Sequence, residues 1–159
     1  MAPERSKLDW LCEAIAIAAL AGMIGLIAIQ WANLPDRMPT HFGVSGQPDE
    51  FGSKNTLWVL ALVNVGAYVV MTLASRYQRL INLPFRVDRD GPEVRQVLRT
   101  MTIVLKAGMM VLLGYIAWAM VNTGLGRADG LGPGFLPVFL AVTFLPLIRF
   151  LAKLRKFRE

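Results

Sequence analysis

Cysteine and histidine are almost missing from this chain, which has one of each, Cys12 and His41. A single cysteine excludes an internal disulfide and every paired-cysteine metal or redox motif, and leaves Cys12 as an apolar-face residue. A single histidine makes a zinc site with several His or Cys ligands hard to assemble; His41, Asp36 and Asp49 form a thin candidate metal set. No G-x-S-x-G, H-E-x-x-H or phosphate-binding glycine loop is present, so the chain reads as non-enzymatic, with no cofactor expected. Charge is also scarce, at 18% of residues against 55% hydrophobic, with a mean hydropathy of +0.47. Those proportions exclude an ordinary soluble globule and indicate a membrane protein.

What is present is four apolar runs, over 11–32, 57–75, 101–121 and 135–151. Each approaches the roughly 20 helical residues that cross a hydrocarbon core of about 30 Å. The expected fold class is an all-α integral membrane protein, a single membrane domain with four transmembrane helices. Loops over 33–56, 76–100 and 122–134 connect them, and a basic tail covers 152–159. The first run is too long for a signal-peptide core and has no small-residue cleavage cluster after it, so it is read as a retained helix.

Within the helices, Ala14, Ala18 and Gly22 recur at a spacing of four, with Ala21 and Gly25 beside them, a stripe suited to close packing inside the bundle, with a dimer seam as the alternative. Gln30, Asn64, Thr72 and Lys106 are polar groups expected to face the bundle. Lys106 lies about one turn inside its helix and is expected to snorkel to the headgroups, with Glu13 as the alternative partner. No intramembrane acid is expected to accompany it, Glu13 being near the end of its own helix, which argues against ion transport. Pro146 removes a helix hydrogen bond and predicts a kink or an end to the fourth helix.

The 17 basic residues fix an orientation. Arg5 and Lys7, then Arg76, Arg79, Arg86, Arg89, Arg95 and Arg99, then Lys153, Arg155, Lys156 and Arg158 fall on one face, whereas Arg37, Lys54 and Arg127 fall on the other. The positive-inside rule therefore predicts both termini in the cytoplasm and the 33–56 loop outside. The net charge of +6 follows from this topology and from attraction to anionic lipid, not from a nucleic-acid partner.

That outer loop is the most informative segment. It is much longer than the roughly 2–8 residues usual between bundle helices, and long ordered loops tend to carry function. Pro35, Pro39 and Pro48 fix backbone angles, while Gly43, Gly46 and Gly52 permit turns closed to other residues. Ser53, Asn55 and Thr56 offer cap oxygens for the second helix. Lys54 opposes the dipole of that helix and calls for an acid from Asp36, Asp49 or Glu50. Met38, Phe42, Val44 and Phe51 supply apolar groups for a small cap or an interfacial contact. Asp36, His41, Asp49 and Lys54 are the candidate polar contacts of a binding site, with Phe42 and Phe51 as the apolar ones.

The run Leu34-Pro35-Asp36-Arg37-x-Pro39-Thr40-His41-Phe42, followed by Gly46-x-Pro48-Asp49 and Gly52-Ser53-Lys54, resembles the membrane domain of unknown function at the front of SdpI-type bacterial immunity proteins. The resemblance is local, spanning Leu34 to Lys54. It implies a bacterial inner-membrane protein, and some members of that family protect a producing cell against a membrane-active peptide and signal its presence. The leading expectation is a non-enzymatic protein whose outer loop recognises a peptide, a lipid or a membrane-protein partner. Alternatives are an accessory subunit of a larger membrane complex and a membrane metalloenzyme using His41.

Overall fold

The computed structural model describes residues 5–84, 87–88 and 91–157. Arg86, Arg89 and Arg158 of the basic face lie outside the described residues. Four helices form the body: α1 (Lys7–Gln30), α2 (Thr56–Arg76), α3 (Pro92–Gly124) and α4 (Phe135–Leu154). All four are long and apolar enough to cross a membrane, which makes the chain a multi-pass membrane protein in a lipid bilayer. The fold is mostly helical but not all-α, because the α1–α2 connection contains two strands, β1 (Arg37–Phe42) and β2 (Pro48–Ser53).

Local signals set the helix starts. A capping box opens α1: Ser6 Oγ accepts the Asp9 amide at 3.1 Å, and Asp9 Oδ2 accepts the Ser6 amide at 3.0 Å. Thr100 Oγ1 donates to Asp9 Oδ1 at 2.9 Å, so this buried cap also ties α1 to α3. Pro92 occupies the first turn of α3, where its missing N–H costs nothing. The third helix therefore begins well before the expected 101. Val94, Val97, Leu98 and Met101 are buried at helical spacing against Leu154, which extends α3 beyond its apolar run as an amphipathic segment.

α3 is the central post and packs against α1, α2, α4 and β1. One bundle end gathers the starts of α1 and α3 with the end of α4; the other carries the hairpin over an apolar cluster that includes Ile27, Leu34, Met38, Leu57, Met120 and Val121. Cys12 is buried in a middle cluster with Ala16, Ile103, Ala107 and Met110, in keeping with its expected apolar role.

Two sequence expectations about the helices are corrected and a third is narrowed. Lys106 does not snorkel: its side chain is fully buried, and Nζ donates to Glu13 Oε1 at 2.9 Å, Glu13 Oε2 at 3.0 Å and Thr72 Oγ1 at 2.9 Å. Tyr68 Oη donates to Glu13 Oε1 at 2.6 Å, and its ring lies 4.4 Å below the ammonium. With hydrocarbon outside, satisfying all three donors inside the bundle competes successfully with reaching for headgroups. The small-residue stripe of α1 does not form the bundle seam either. Ala14, Ala18 and Gly22 are exposed, and α1 packs instead through Cys12, Ala16, Met23 and Ile27, the face that carries Glu13 to Lys106. Of the two outcomes expected at Pro146, a kink or an end, the end does not occur: α4 runs through it to Leu154. Close approach of α4 to α3 comes from Gly108, where a Cβ would stand 2.8 Å from Val142 Cγ1.

The Lys106 contacts generate a test. Lys106→Met leaves the Glu13 carboxylate buried without its cation and should destabilise the protein by about 3–5 kcal/mol. Combining it with Glu13→Leu should recover most of that loss, read as melting temperature in detergent micelles. A single variant as stable as wild type would show that the pair contributes nothing.

Candidate functional site

The hairpin is fastened at its base before anything is presented at its tip. The Lys54 amide donates to the Asp36 carbonyl at 3.1 Å, while Lys54 Nζ reaches Asp36 Oδ1 at 3.1 Å and the Leu34 carbonyl at 3.3 Å. The expected acid for Lys54 is thus Asp36, and the ammonium also lies 5.3 Å from the Trp31 ring centroid. The cap expectation for Asn55 is not met. It makes no side-chain cap bond, and its amide is taken by Ser53 Oγ at 3.2 Å.

β1 and β2 pair antiparallel, with Arg37 opposite Ser53, Met38 opposite Gly52 and Pro39 opposite Phe51; the register then slips around His41, which faces Glu50. A buried Pro39 cannot donate to the ladder, which accounts for the irregularity next to it. Gly52 keeps the strands close, since a Cβ there would stand 3.0 Å from Thr40 Cγ2. Met38 is the plug that seats the hairpin: its side chain is buried against Gly124, where a Cβ would come within 2.8 Å of Met38 Cε. Phe42 packs on the same cluster, while Val44 and Phe51 stay exposed.

At the tip, the Gly43 amide donates to the Gln47 carbonyl at 2.9 Å and Gly46 adopts φ +80°, open to glycine. The slip in register brings His41 Nδ1 to 2.6 Å from Asp49 Oδ1, with both side chains at least half exposed. The hydrogen bond to Asp49, followed by the charge of that carboxylate, raises the His41 pKa above its ordinary value of 6.5. Asp36 belongs to Lys54 at the base, so the candidate metal set of His41, Asp36 and Asp49 splits, and no group of three or more His, Cys, Asp or Glu gathers among the described residues.

The site has a second wall outside 33–56. In the α3–α4 loop, the Leu131 amide donates to the Gly46 carbonyl at 2.8 Å, and the Leu131 carbonyl accepts Tyr115 Oη at 3.0 Å. A Cβ on Gly46 would press to 2.8 Å from the Gly132 carbonyl oxygen, so the two loops touch backbone to backbone. Between them lies a cleft of about 450 Å³ whose walls include His41, Phe42, Asp49, Leu131, Phe135 and Leu136. Leu131, Phe135 and Leu136 were not legible as site residues. The available signal was the glycine-dense run Gly124-Leu-Gly-Arg-Ala-Asp-Gly-Leu-Gly-Pro-Gly134, in which Gly126, Gly130 and Gly132 all adopt positive φ.

Two measurements follow from this geometry. As the single histidine, His41 can be titrated by imidazole NMR without assignment ambiguity. Asp49→Asn should lower its midpoint toward about 6.5. A raised folded-state pKa means that the pair stabilises the hairpin fully below the unfolded value near 6.5, and that this contribution fades as pH rises through the folded value. An unchanged midpoint would show that the pair does not form. Gly46→Val combines a strained φ with a collision at Gly132, and should release the hairpin tip from the second loop. Faster hydrogen exchange at the Leu131 amide is the expected reading.

Residues 18–65 match a family described as a domain of unknown function, DUF1648. An uncharacterised protein of Archaeoglobus fulgidus is 38% identical over 64 residues, which cover 35% of this chain and 35% of the relative. The chain therefore aligns with about a third of the relative's length. No solved structure matches. The family match takes in the second half of α1, the whole hairpin and the first half of α2, and it stops short of the loop that completes the cleft.

Proposed function

We propose that this is a non-enzymatic membrane protein whose hairpin face recognises an amphiphilic ligand or a partner, with both termini in the cytoplasm of a bacterial cell and the hairpin outside the inner membrane. The observation that carries the reading is the His41–Asp49 pair at an apolar cleft, held there by two loops pinned backbone to backbone. A few convergent polar groups beside an apolar wall are the usual makings of a ligand site. The local resemblance of Leu34 to Lys54 to SdpI-type immunity proteins favours a membrane-active peptide as one such ligand, with protection against that peptide as the biological outcome. His41, Asp49 and Phe42 make the contacts at the cleft, and exposed Phe51 extends the apolar surface on β2. Lys54 and Asp36 hold the base together, with Pro35, Pro39, Gly46, Pro48 and Gly52 shaping the frame.

A second reading, an accessory subunit of a larger membrane complex, is favoured by the exposed Ala14, Ala18 and Gly22 face of α1, which is suited to a further helix. Affinity purification from native membranes separates the two. A peptide or lipid that co-elutes with wild type and is lost from a His41→Ala, Asp49→Ala double variant supports recognition at the cleft. An integral-membrane partner retained by that variant but lost from Ala18→Leu, Gly22→Leu supports the subunit reading. Identical profiles for wild type and the cleft variant would refute the recognition role of the hairpin.

A further inference from the structure

The recognition cleft does not end at the hairpin. A second cleft of about 410 Å³ adjoins it across Leu131, Gly132 and Phe135 and is bounded deeper in the bundle by Val111, Leu112, Tyr115 and Val138. Apart from the Tyr115 hydroxyl, already committed to the Leu131 carbonyl, the side chains of this second cleft are wholly apolar. It lies between α3 and α4, where Val138 is exposed at its edge. Tyr115 stacks on Phe135 at 5.6 Å and on Trp118 at 5.4 Å, which marks this level as an aromatic band of the kind found where hydrocarbon meets headgroups.

With His41 protonated, the polar end of this composite groove carries two opposite charges side by side. His41 uses Nδ1 on Asp49 Oδ1, so Nε2 is the nitrogen left for a ligand, and it donates when the imidazole is protonated. Asp49 keeps Oδ2 as an acceptor, with Glu50 next to it in sequence and facing His41 across the hairpin. A purely anionic headgroup would meet the Asp49 carboxylate, and a purely cationic one would meet the imidazolium. A zwitterion carrying a phosphate and a primary ammonium meets a complementary charge with each of its own, and both contacts are charge-assisted hydrogen bonds. Its acyl chain has the α3–α4 groove below.

We propose that the hairpin cleft and the α3–α4 groove together form a binding site for a phospholipid with a phosphoethanolamine headgroup, the phosphate on His41, the ammonium on Asp49, and one acyl chain against Tyr115, Phe135 and Val138. The inference rests on reading the hairpin cleft as a recognition site and names the chemical class of its ligand. A trimethylated phosphocholine headgroup keeps the charges but cannot donate a hydrogen bond to Asp49, which separates hydrogen-bonded recognition from bulk lipid coating.

The test is native mass spectrometry of the full chain, delipidated in detergent and titrated separately with phosphatidylethanolamine, phosphatidylcholine and phosphatidylglycerol of matched chains. The expected result is retention of one phosphatidylethanolamine about tenfold more strongly than either other lipid, the size of effect carried by one charge-assisted hydrogen bond. Asp49→Asn should remove the preference over phosphatidylcholine, and Val138→Trp, which fills the groove, should weaken all three lipids. Because Val138 is exposed on α4, that variant keeps the proposal testable should the hairpin variant fold poorly. Equal retention of the three lipids by wild type, or a preference for phosphatidylglycerol, overturns the lipid assignment. If the His41→Ala, Asp49→Ala variant also loses a co-purifying peptide or protein in that case, the cleft remains a recognition site with a different ligand; if it loses nothing, both readings fall.

Discussion

A lysine ammonium with no exposure, inside helices that face hydrocarbon, dictates how the rest of the bundle is arranged. Lys106 draws the Glu13 carboxylate from α1, and Thr72 with the Tyr68 ring from α2, to one point on α3. Each of those contacts fixes the rotation of a helix about its own axis. Once Glu13 must point at α3, Cys12, Ala16, Met23 and Ile27 follow it inward along α1, and the small residues Ala14, Ala18 and Gly22 are turned out. Apolar packing in a bilayer gives little directional preference, because lipid tails are as apolar as leucine. The buried pair supplies the direction, and the neighbouring Asp9–Thr100 bond repeats it one turn nearer the helix ends.

The two ends of the bundle are built on different principles. Near the termini, polar groups on α1, α2 and α3 satisfy one another. Near the hairpin, contacts are apolar and depend on fit: Met38 enters the space left by Gly124, beside Leu57, Met120 and Val121. The hairpin is thus rigid where it meets the helices and polar where it meets solvent. That combination holds His41 and Asp49 in a fixed relation without burying either, and such preorganisation limits the ordering cost of binding.

Much of the fold was legible because hydrophobic runs of membrane length admit few alternatives. The four helices, the inward-facing Asn64 and Thr72, and an acid partner for Lys54 all follow from run length, spacing or charge. The early start of α3 was hidden because its first turns alternate charged and apolar residues, yet Val94, Val97, Leu98 and Met101 carry the helical period once window hydropathy is set aside. Snorkelling is the wrong choice for Lys106 because the apolar run puts it one turn from a helix end, whereas α3 begins at Pro92 and Glu13, the alternative partner, stands opposite. Proximity of His41 to Asp49 was legible as composition, whereas their pairing depends on a register slip beside Pro39 that no local rule specifies. The second wall was least visible of all. Its residues are ordinary leucines and a phenylalanine, and they join the site through a backbone hydrogen bond between residues far apart in the chain, from the Leu131 amide to the Gly46 carbonyl.

That long-range contact divides the site's construction between two pieces of chain with different duties. The hairpin is seated by Met38 in a socket formed by α1, α2 and α3, and this seat uses nothing from α4. The opposite wall hangs from α4 and its preceding loop, and α4 itself packs against α3 with most of its surface free. Residues such as Leu136 and Val138 can therefore change in size or polarity without unseating the histidine–aspartate pair. On the proposed reading, the hairpin side is the fixed jaw of the cleft and the α4 side the adjustable one, so that substitutions on α4 can change which ligand fits while leaving the histidine–aspartate pair in place.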